Sequence, residues 1–347
     1  MTAKSEYHSN FAAARASAGD GLGRARRGTH GQRGLFDRID WFESLHSACL
    51  SQSAPLIAAA DDGAGNSCWL FLTGNRQGMT SIANYYSFTW GPIAVGLSSL
   101  PAQSPMLDTL ALGLRGHTAA LALSSMRESD ATAITAALQA AGWNTDVAAT
   151  GHNHWLDTAG RSFADWWAQR PGALRSTVQR KGKKGLVALS ITDRFSDSDW
   201  NDYESVYCQS WKPAESYPEF LRAWARGEAD AGTLRLGIAR IDGVAVAAQF
   251  WSCDNGTAYI HKLAHVAGHD ALSPGTLLTH ALFAHAFDVD RVDRIDFGTG
   301  DDGYKRDWME QSAALYTVRA WDKKQPAAWY GLGRHVLSRL AARLLGR

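Results

Sequence analysis

The densest chemistry in the chain lies at residues 296–308, which read Asp-Phe-Gly-Thr-Gly-Asp-Asp-Gly-Tyr-Lys-Arg-Asp-Trp. Asp296, Asp301, Asp302, Tyr304, Lys305 and Arg306 bring carboxylates, a phenol and cations within a few residues, while Gly298, Gly300 and Gly303 relax the backbone between them. The apolar-alternating run 292–295 comes just before, so the stretch reads as the end of a strand opening into a glycine-rich turn and then a helical turn. In open α/β sheets ligands settle beyond strand C-termini, where short loops and free backbone donors converge. The plain alternative is a solvated turn in which Asp301 caps the short helix and Lys305 pairs with Asp296.

A second polar turn comes earlier. Ser273-Pro274-Gly275-Thr276 opens an apolar helical segment running to about residue 287, with Ser273 as N-cap and Pro274 at the first helical position, where its missing N–H costs nothing. Five histidines fall between His261 and His285. His261, His265 and His269 pass from a strand into a loop, and a period of two does not aim every fourth residue at one point, so no metal site is expected. His261 or His265, near the strand end, is the one expected to face a ligand. Residues 170–184 carry Arg170, Arg175, Arg180, Lys181, Lys183 and Lys184 on a predicted helix. They read either as a solvated face or as an electrostatic platform for a phosphate-bearing substrate or an anionic polymer.

The elements that must hold these groups follow from periodicity. Leu35, Phe36, Ile39, Phe42, Leu45 and Leu50 recur at helical spacing, strands are predicted at 55–61, 67–73 and 79–87, and helices at 105–114 and 132–141 flank a strand at 119–123. Strands at 143–149 and 154–157 complete the first half. In the second half, a strand at 186–192 precedes helices at 197–211 and 219–231, whose Trp200, Tyr203, Val206, Tyr207 and Trp211 form an aromatic stripe that reads as core. Strands at 233–240, 244–252 and 257–264 are joined by Asp242-Gly243 and Asp254-Asn255-Gly256, which are hairpin signals. Strands at 292–297 and 314–321 follow. The fold class is α/β (α+β), with mixed, mostly antiparallel sheets flanked by helices.

A length of 347 residues favours two domains, and 45% hydrophobic with 20% charged residues is the composition of a globular chain with a sizeable core, which excludes a fibre or a wholly disordered protein. The net charge of +1 hides a pattern: +4 over residues 1–34 and +6 from Lys323 onward, with −9 between. Residues 1–34, rich in Ala, Gly, Ser and Arg, are expected to be disordered, and they lack the interleaved aromatics of a nucleic-acid-binding arm. Cys49, Cys68, Cys208 and Cys253 include no Cys-x-x-Cys pair, and no run approaches the roughly 18 apolar residues that cross a bilayer. With no apolar leader segment at the N-terminus, these features predict a cytoplasmic protein. At the other end, residues 326–347 form a basic helix with Trp329, Leu332, Val336, Leu340 and Leu344 on one stripe, suited to docking on the body or to peripheral contact with the inner membrane.

The element order over residues 196–321 resembles the acyl-CoA N-acyltransferase (GNAT) fold. The pairing of Leu272-Ser273-Pro274-Gly275-Thr276-Leu277-Leu278 with Asp296-Phe297-Gly298-x-Gly300-Asp301-x-x-Tyr304-Lys305 is similar to the FemAB/CelD-like acetyltransferase branch, as is the basic helix carrying Arg175 and Arg180. The resemblance implies a tandem arrangement: a disordered basic tail (1–34), a diverged N-terminal GNAT-like domain (35–159), a C-terminal GNAT acyltransferase domain (160–322) and the basic amphipathic helix (323–347).

It also implies N-acyl transfer from an activated carrier to an amine of a small molecule or of a cell-envelope or polysaccharide precursor. A helix N-terminus is a ready anion site, so Ser273, Gly275, Thr276 and Leu277 are where the pyrophosphate of acyl-CoA (acetyl-CoA) would lie. GNAT enzymes usually carry Arg/Gln-x-x-Gly-x-Gly/Ala there, and this chain has Gly275 and Thr276, so an acyl carrier protein or an aminoacyl-tRNA stays open as donor. Attack by an amine needs a base, an oxyanion donor and an acid for the leaving group. Asp301 is expected as base, Tyr304 as acid and Lys305 as the group that meets developing charge, with Asp296, Gly298, Gly300, His261, Arg175 and Arg180 on the substrate side. The reading from another class is a non-catalytic binding module of the same fold.

Overall fold

The N-terminal stretch folds, because a short alanine-rich helix needs only a few inward positions. In the computed structural model, which describes residues 3–24, 34–101, 103–300 and 303–344, strand β1 (Lys4–His8) lies antiparallel along β2 (Ala54–Asp61). Helix α1 (Phe11–Ala18) follows, its N-cap Asn10 accepting the Ala13 amide at 2.8 Å and its Phe11 and Ala14 buried. The expected disorder of residues 1–34 is thus corrected for 3–24; residues 25–33 lie outside the described set. Composition misled here because small residues that cannot fill a core can still close its edge.

The chain continues through α2 (Ile39–Cys49), β3 (Ser67–Gly74), β4 (Met79–Ser81), β5 (Ile93–Val95), α3 (Pro105–Gly113), β6 (Ala120–Met126), α4 (Glu128–Ala140) and β7 (Asn144–Asp157). Strands β2, β3 and β4 form an antiparallel meander with β5 beside β3, and α3 crosses over to set β6 parallel to β4. The strand expected over 79–87 stops at Ser81, because the Asn84 side chain accepts the Tyr86 amide at 2.9 Å and turns the chain. The two strands expected over 143–157 are one.

Then come α5 (Phe163–Ala168), α6 (Gly172–Gly182), β8 (Ala188–Thr192), α7 (Asp197–Cys208), α8 (Pro218–Asp230), β9 (Leu234–Ile241), β10 (Val244–Asp254), β11 (Thr257–His265), α9 (Pro274–Asp288), β12 (Arg294–Thr299), α10 (Lys305–Trp308), β13 (Gln311–Trp321) and α11 (Ala327–Leu344). The tight links between β9, β10 and β11 have Asp242 and Gly243, then Asn255 and Gly256, at positive φ, as two-residue hairpin turns require.

The same order occurs twice: strand, two helices, three antiparallel strands, crossover helix, parallel strand, helix, strand. The closing strands are exchanged between the two repeats. Strand β13 pairs with β6, whereas the end of β7, from Asn153 to Asp157, pairs with β12. The compact units are accordingly Met1–His152 with Ala313–Arg347, and Asn153–Ser312, in place of divisions at 159 and 322. Local pattern predicts a strand but not its partner.

Within the second unit, α9 buries Leu278, Leu282, Phe283 and Ala286 against one sheet face, where Trp166 stacks on Phe283 at 5.0 Å and Trp251 meets it edge-on at 5.5 Å. Gly237 on β9 permits this approach, since a Cβ there would lie 2.8 Å from Leu282 Cδ1. The alternate residue Phe250 faces the other way and meets Trp200 of α7.

Candidate functional site

Strands β11 and β12 pair in parallel at Thr257/Arg294, Ala258/Ile295 and Tyr259/Asp296, and no further. Beyond that point β11 follows β10 to His265 and β12 follows β7 to Thr299, so the two strands diverge toward their C-termini. A bulge marks the parting on each side. His261 has no counterpart between the pairs Phe250/Lys262 and Trp251/Ile260, and Phe297 has none between Asp296/Trp155 and Gly298/His154. The result is a wedge whose inner edges carry backbone donors and acceptors that the opposite strand does not satisfy.

On the β12 side, the site motif is built around a buried carboxylate. Asp296, 8% exposed, accepts the Gly298 amide at 2.8 Å on Oδ1 and the Asn153 side-chain amide at 3.1 Å on Oδ2. Gly298 (φ 68°) and Gly300 (φ 105°) take the left-handed conformations that turn the chain out of the strand. Asp296 therefore fixes the bulge, a role that corrects its expected place as a substrate contact. Lys305 is 4% exposed; its ammonium donates to the Thr299 carbonyl and lies 5.3 Å from the Phe297 ring. It ties α10 back to the strand end from inside. Tyr304 is 40% exposed and stands edge-on to Phe297 at 5.7 Å. Asp301 lies outside the described residues.

The turn is clamped from below by Glu310, which accepts from Arg161 at 2.6 Å and from Arg170 at 2.5 Å. Its hydrogen bond to Arg161 holds the Glu310 carboxyl below the usual range. Arg170, more deeply placed, is pushed down by burial and lies over Trp166 at 5.0 Å.

The other wall is the first turn of α9. Ser273 occupies the N-cap position but in the left-handed region (φ 49°), and its hydroxyl donates to Asp270 O at 3.2 Å rather than capping the helix, which corrects the expected cap. Leu277 is buried and its amide donates to Ser273 O at 3.1 Å, so its expected part in anion binding falls away. The amides of Gly275 and Thr276 remain at the helix start, where the dipole favours an anion. A buried chain of hydrogen bonds holds this turn to β10: Trp251 donates to Gln249 at 2.9 Å, Gln249 to Thr279 at 2.7 Å, and Thr279 to Gly275 O at 2.9 Å.

The remaining expected residues are scattered. His261, the bulged residue of β11, shares a 2.7 Å hydrogen bond with Ser252 on the face that Phe250 lines. Arg175 and Arg180 are exposed on α6, Arg175 donating to Arg170 O at 3.0 Å, and α6 has no buried residue at all. The neighbouring Lys181 reaches Ala271 O, in the link between β11 and α9, and so brings the end of α6 to that wall. Asn153, Glu310 and the Gln249–Thr279 pair escaped sequence reasoning, since each gains its meaning from a distant strand or helix. Among the described residues no group of His, Cys, Asp and Glu could hold a metal ion, and no helix is long and apolar enough to cross a membrane.

Residues 172–306 match the family model of the acetyltransferase (GNAT) domain. The fold is similar to that of FemX (TM-score 0.58, 8% identity, 90% of this chain and 96% of that one). It is also similar to the C-terminal domain of a protein assigned as a lysylphosphatidylglycerol synthetase from Agrobacterium fabrum (0.53, 11%, 85% and 91%). A conserved protein of unknown function from Bacteroides thetaiotaomicron is alike to a similar degree (0.52, 11%, 92% and 100%). No curated protein sequence matches the chain. At these identities the likeness to solved structures is one of fold. With the family match lying across the wedge and both of its walls, residues 172–306 are a GNAT acetyltransferase domain and the chain is an acyltransferase.

Proposed function

We infer that the chain moves an acyl group from a carrier thioester or ester to an amine, on a small molecule or a cell-envelope or polysaccharide precursor, in the cytoplasm. The observation that carries this reading is the wedge between β11 and β12. An extended carrier arm with amide groups can pair with the free edge of β11 as a further strand would, its phosphate end at the Gly275 and Thr276 amides and its acyl end toward Tyr304. Acyl-CoA is the donor that best uses both features.

In the reaction the amine nitrogen attacks the carrier carbonyl, forming the new C–N bond; the tetrahedral intermediate collapses with cleavage of the C–S or C–O bond. Asp301 takes the proton the amine loses, and the Tyr304 hydroxyl protonates the departing sulfur or oxygen. Buried Lys305 keeps the turn that presents Tyr304 in register. One observation favours a second donor: the exposed basic helix α6 meets the β11–α9 link through Lys181, which suits the polyanionic backbone of an aminoacyl-tRNA.

Thermal shift and turnover with acetyl-CoA, longer acyl-CoAs, loaded acyl carrier protein and aminoacyl-tRNA, against a panel of amines, test the reading. Tyr304→Phe should lower kcat by about 100-fold with little change in KM. Unchanged turnover in both Tyr304→Phe and Asp301→Asn, or no transfer from any donor, overturns it, the latter in favour of a binding module.

A further inference from the structure

Of the 14 tryptophans, two are exposed among the described residues, Trp211 and Trp329. The stripe of α7 buries Trp200, Tyr203, Val206 and Tyr207, but the helix ends at Cys208, so Trp211 falls in the link to α8 and is left 59% exposed. The exposed indole lies beside the wedge. Its ring centre is 4.5 Å from that of His265, the last residue of β11, and a Cβ added to Gly275 would meet His265 Nδ1 at 3.5 Å. Trp211, His265 and Gly275 thus form three successive layers ending on the first turn of α9.

Cations stand on either side. Lys212 Nζ lies 5.8 Å from the Trp211 ring, and Lys181 Nζ bonds Ala271 O just before α9; of the acids close by, Asp270 lies 3.4 Å from His265 Nε2 and Glu215 is paired with Lys262. The link carrying Trp211 is anchored, since Glu215 pairs with Lys262 of β11 at 2.8 Å with both side chains largely buried, and Ser210 donates to Tyr207 O at 2.7 Å. A flat aromatic face held in place beside amides and ammonium groups matches a planar base joined to phosphates, since stacking serves the base while the cations and the helix start serve the phosphate.

Resting on the acyl-transfer reading above, we propose that Trp211, backed by His265, is a stacking platform for the adenine of an adenosine-bearing acyl donor. Coenzyme A carries such an adenosine, and so does the 3′ end of an aminoacyl-tRNA; the phosphopantetheine of an acyl carrier protein carries none. The platform therefore selects among the donors that the α9 turn alone leaves equivalent.

The test is calorimetric titration of the full chain with adenosine 3′,5′-bisphosphate, coenzyme A, 4′-phosphopantetheine, and tRNA with and without its terminal adenosine. Adenosine bisphosphate should bind, Trp211→Ala should weaken it about tenfold, Trp211→Phe should keep most of the affinity, and phosphopantetheine binding should be equal in all three proteins. The platform is assigned to coenzyme A if Trp211→Ala weakens coenzyme A together with adenosine bisphosphate and leaves tRNA unchanged, and to tRNA if it also weakens tRNA and removal of the terminal adenosine abolishes that effect. Equal binding by Trp211→Ala and the unaltered chain, absence of binding by every adenine-bearing ligand, or an equal loss of phosphopantetheine overturns it. Thioesters of phosphopantetheine that serve as well as those of coenzyme A would sink the platform and leave acyl transfer standing. Loss of transfer from every donor, with adenosine binding intact, would do the reverse.

Discussion

Asn153 and Asp296 meet across β7 and β12, the amide of one donating to the carboxylate of the other at 3.1 Å in a buried setting. The same carboxylate receives the Gly298 amide, so one side chain joins the strand pair to the turn that opens the site. Asn153→Ala would remove a hydrogen bond to a buried carboxylate, at a cost of about 2 kcal/mol. Urea unfolding should show that loss, together with reduced turnover from a loosened turn. A change below about 0.5 kcal/mol, the scale of ordinary surface substitutions, would mean that the bulge holds without this pair.

Glu310 joins Arg161 and Arg170 just after α10, and its carboxyl is held below the usual range chiefly by the Arg161 hydrogen bond. A depressed carboxyl contributes stability that is fully present above its unfolded value, near pH 4.3, and fades as pH falls through the folded one. Glu310→Gln should therefore lose roughly 2 kcal/mol at pH 7, with the gap from the unaltered protein closing below pH 4. A gap independent of pH would show that shape, not charge, holds the clamp.

In the first unit the sign is opposite. Burial pushes the Asp130 carboxyl up to about 6, with Arg127 opposing and Asp37 adding to the shift. Between the unfolded value near 3.9 and the folded one the native state binds more protons, so this group costs stability as pH rises through that window. Asp130→Asn should gain on the order of 2 kcal/mol at pH 7 and little at pH 4, read as the shift in Tm at the two values. Equal Tm at pH 7 would refute the assignment.

Helix α11 turns Ala328 inward against Trp321 and Ala119, with His335 pairing with Asp146 at 3.1 Å, and leaves Trp329, Tyr330 and Leu337 exposed. The sequence stripe had Trp329 on the docking side; the smaller Ala328 takes that place. No acid occurs from Lys323 onward, so contact with an anionic bilayer is expected. The full chain should sediment with phosphatidylglycerol vesicles and release in high salt, and Trp329→Ser/Tyr330→Ser should bind less. A chain that stays in the supernatant at low salt ends the membrane proposal.

Much of the second unit was legible because its signals are local. Asp242-Gly243 and Asn255-Gly256 announce hairpins, and Pro274 marks the start of α9, through backbone preferences that operate within a few residues. The residues around the motif were visible as types, but their roles were not. Asp296 and Lys305 look like surface chemistry until β7 and Phe297 enclose them. Trp211 continues the α7 stripe in sequence, yet the helix stops short of it, and where a helix ends decides whether an indole is core or platform. The ordered N-terminal strand was missed because its pairing with β2 is a long-range contact.

The exchanged closing strands make the two repeats inseparable as pieces. A ribosome that has finished the first repeat has not yet made β13, which lies beside β6, while the second repeat waits on a segment synthesised before it began. Neither can be excised at the seam that its own element order suggests. The segment from 172 to 306, which holds most of the glycine-rich 296–308 motif, lacks Asn153 and the rest of that borrowed strand, so its excision would uncover a raw sheet margin. Each unit is completed by a strand from outside its own repeat, so a cut at either repeat boundary leaves both units a strand short.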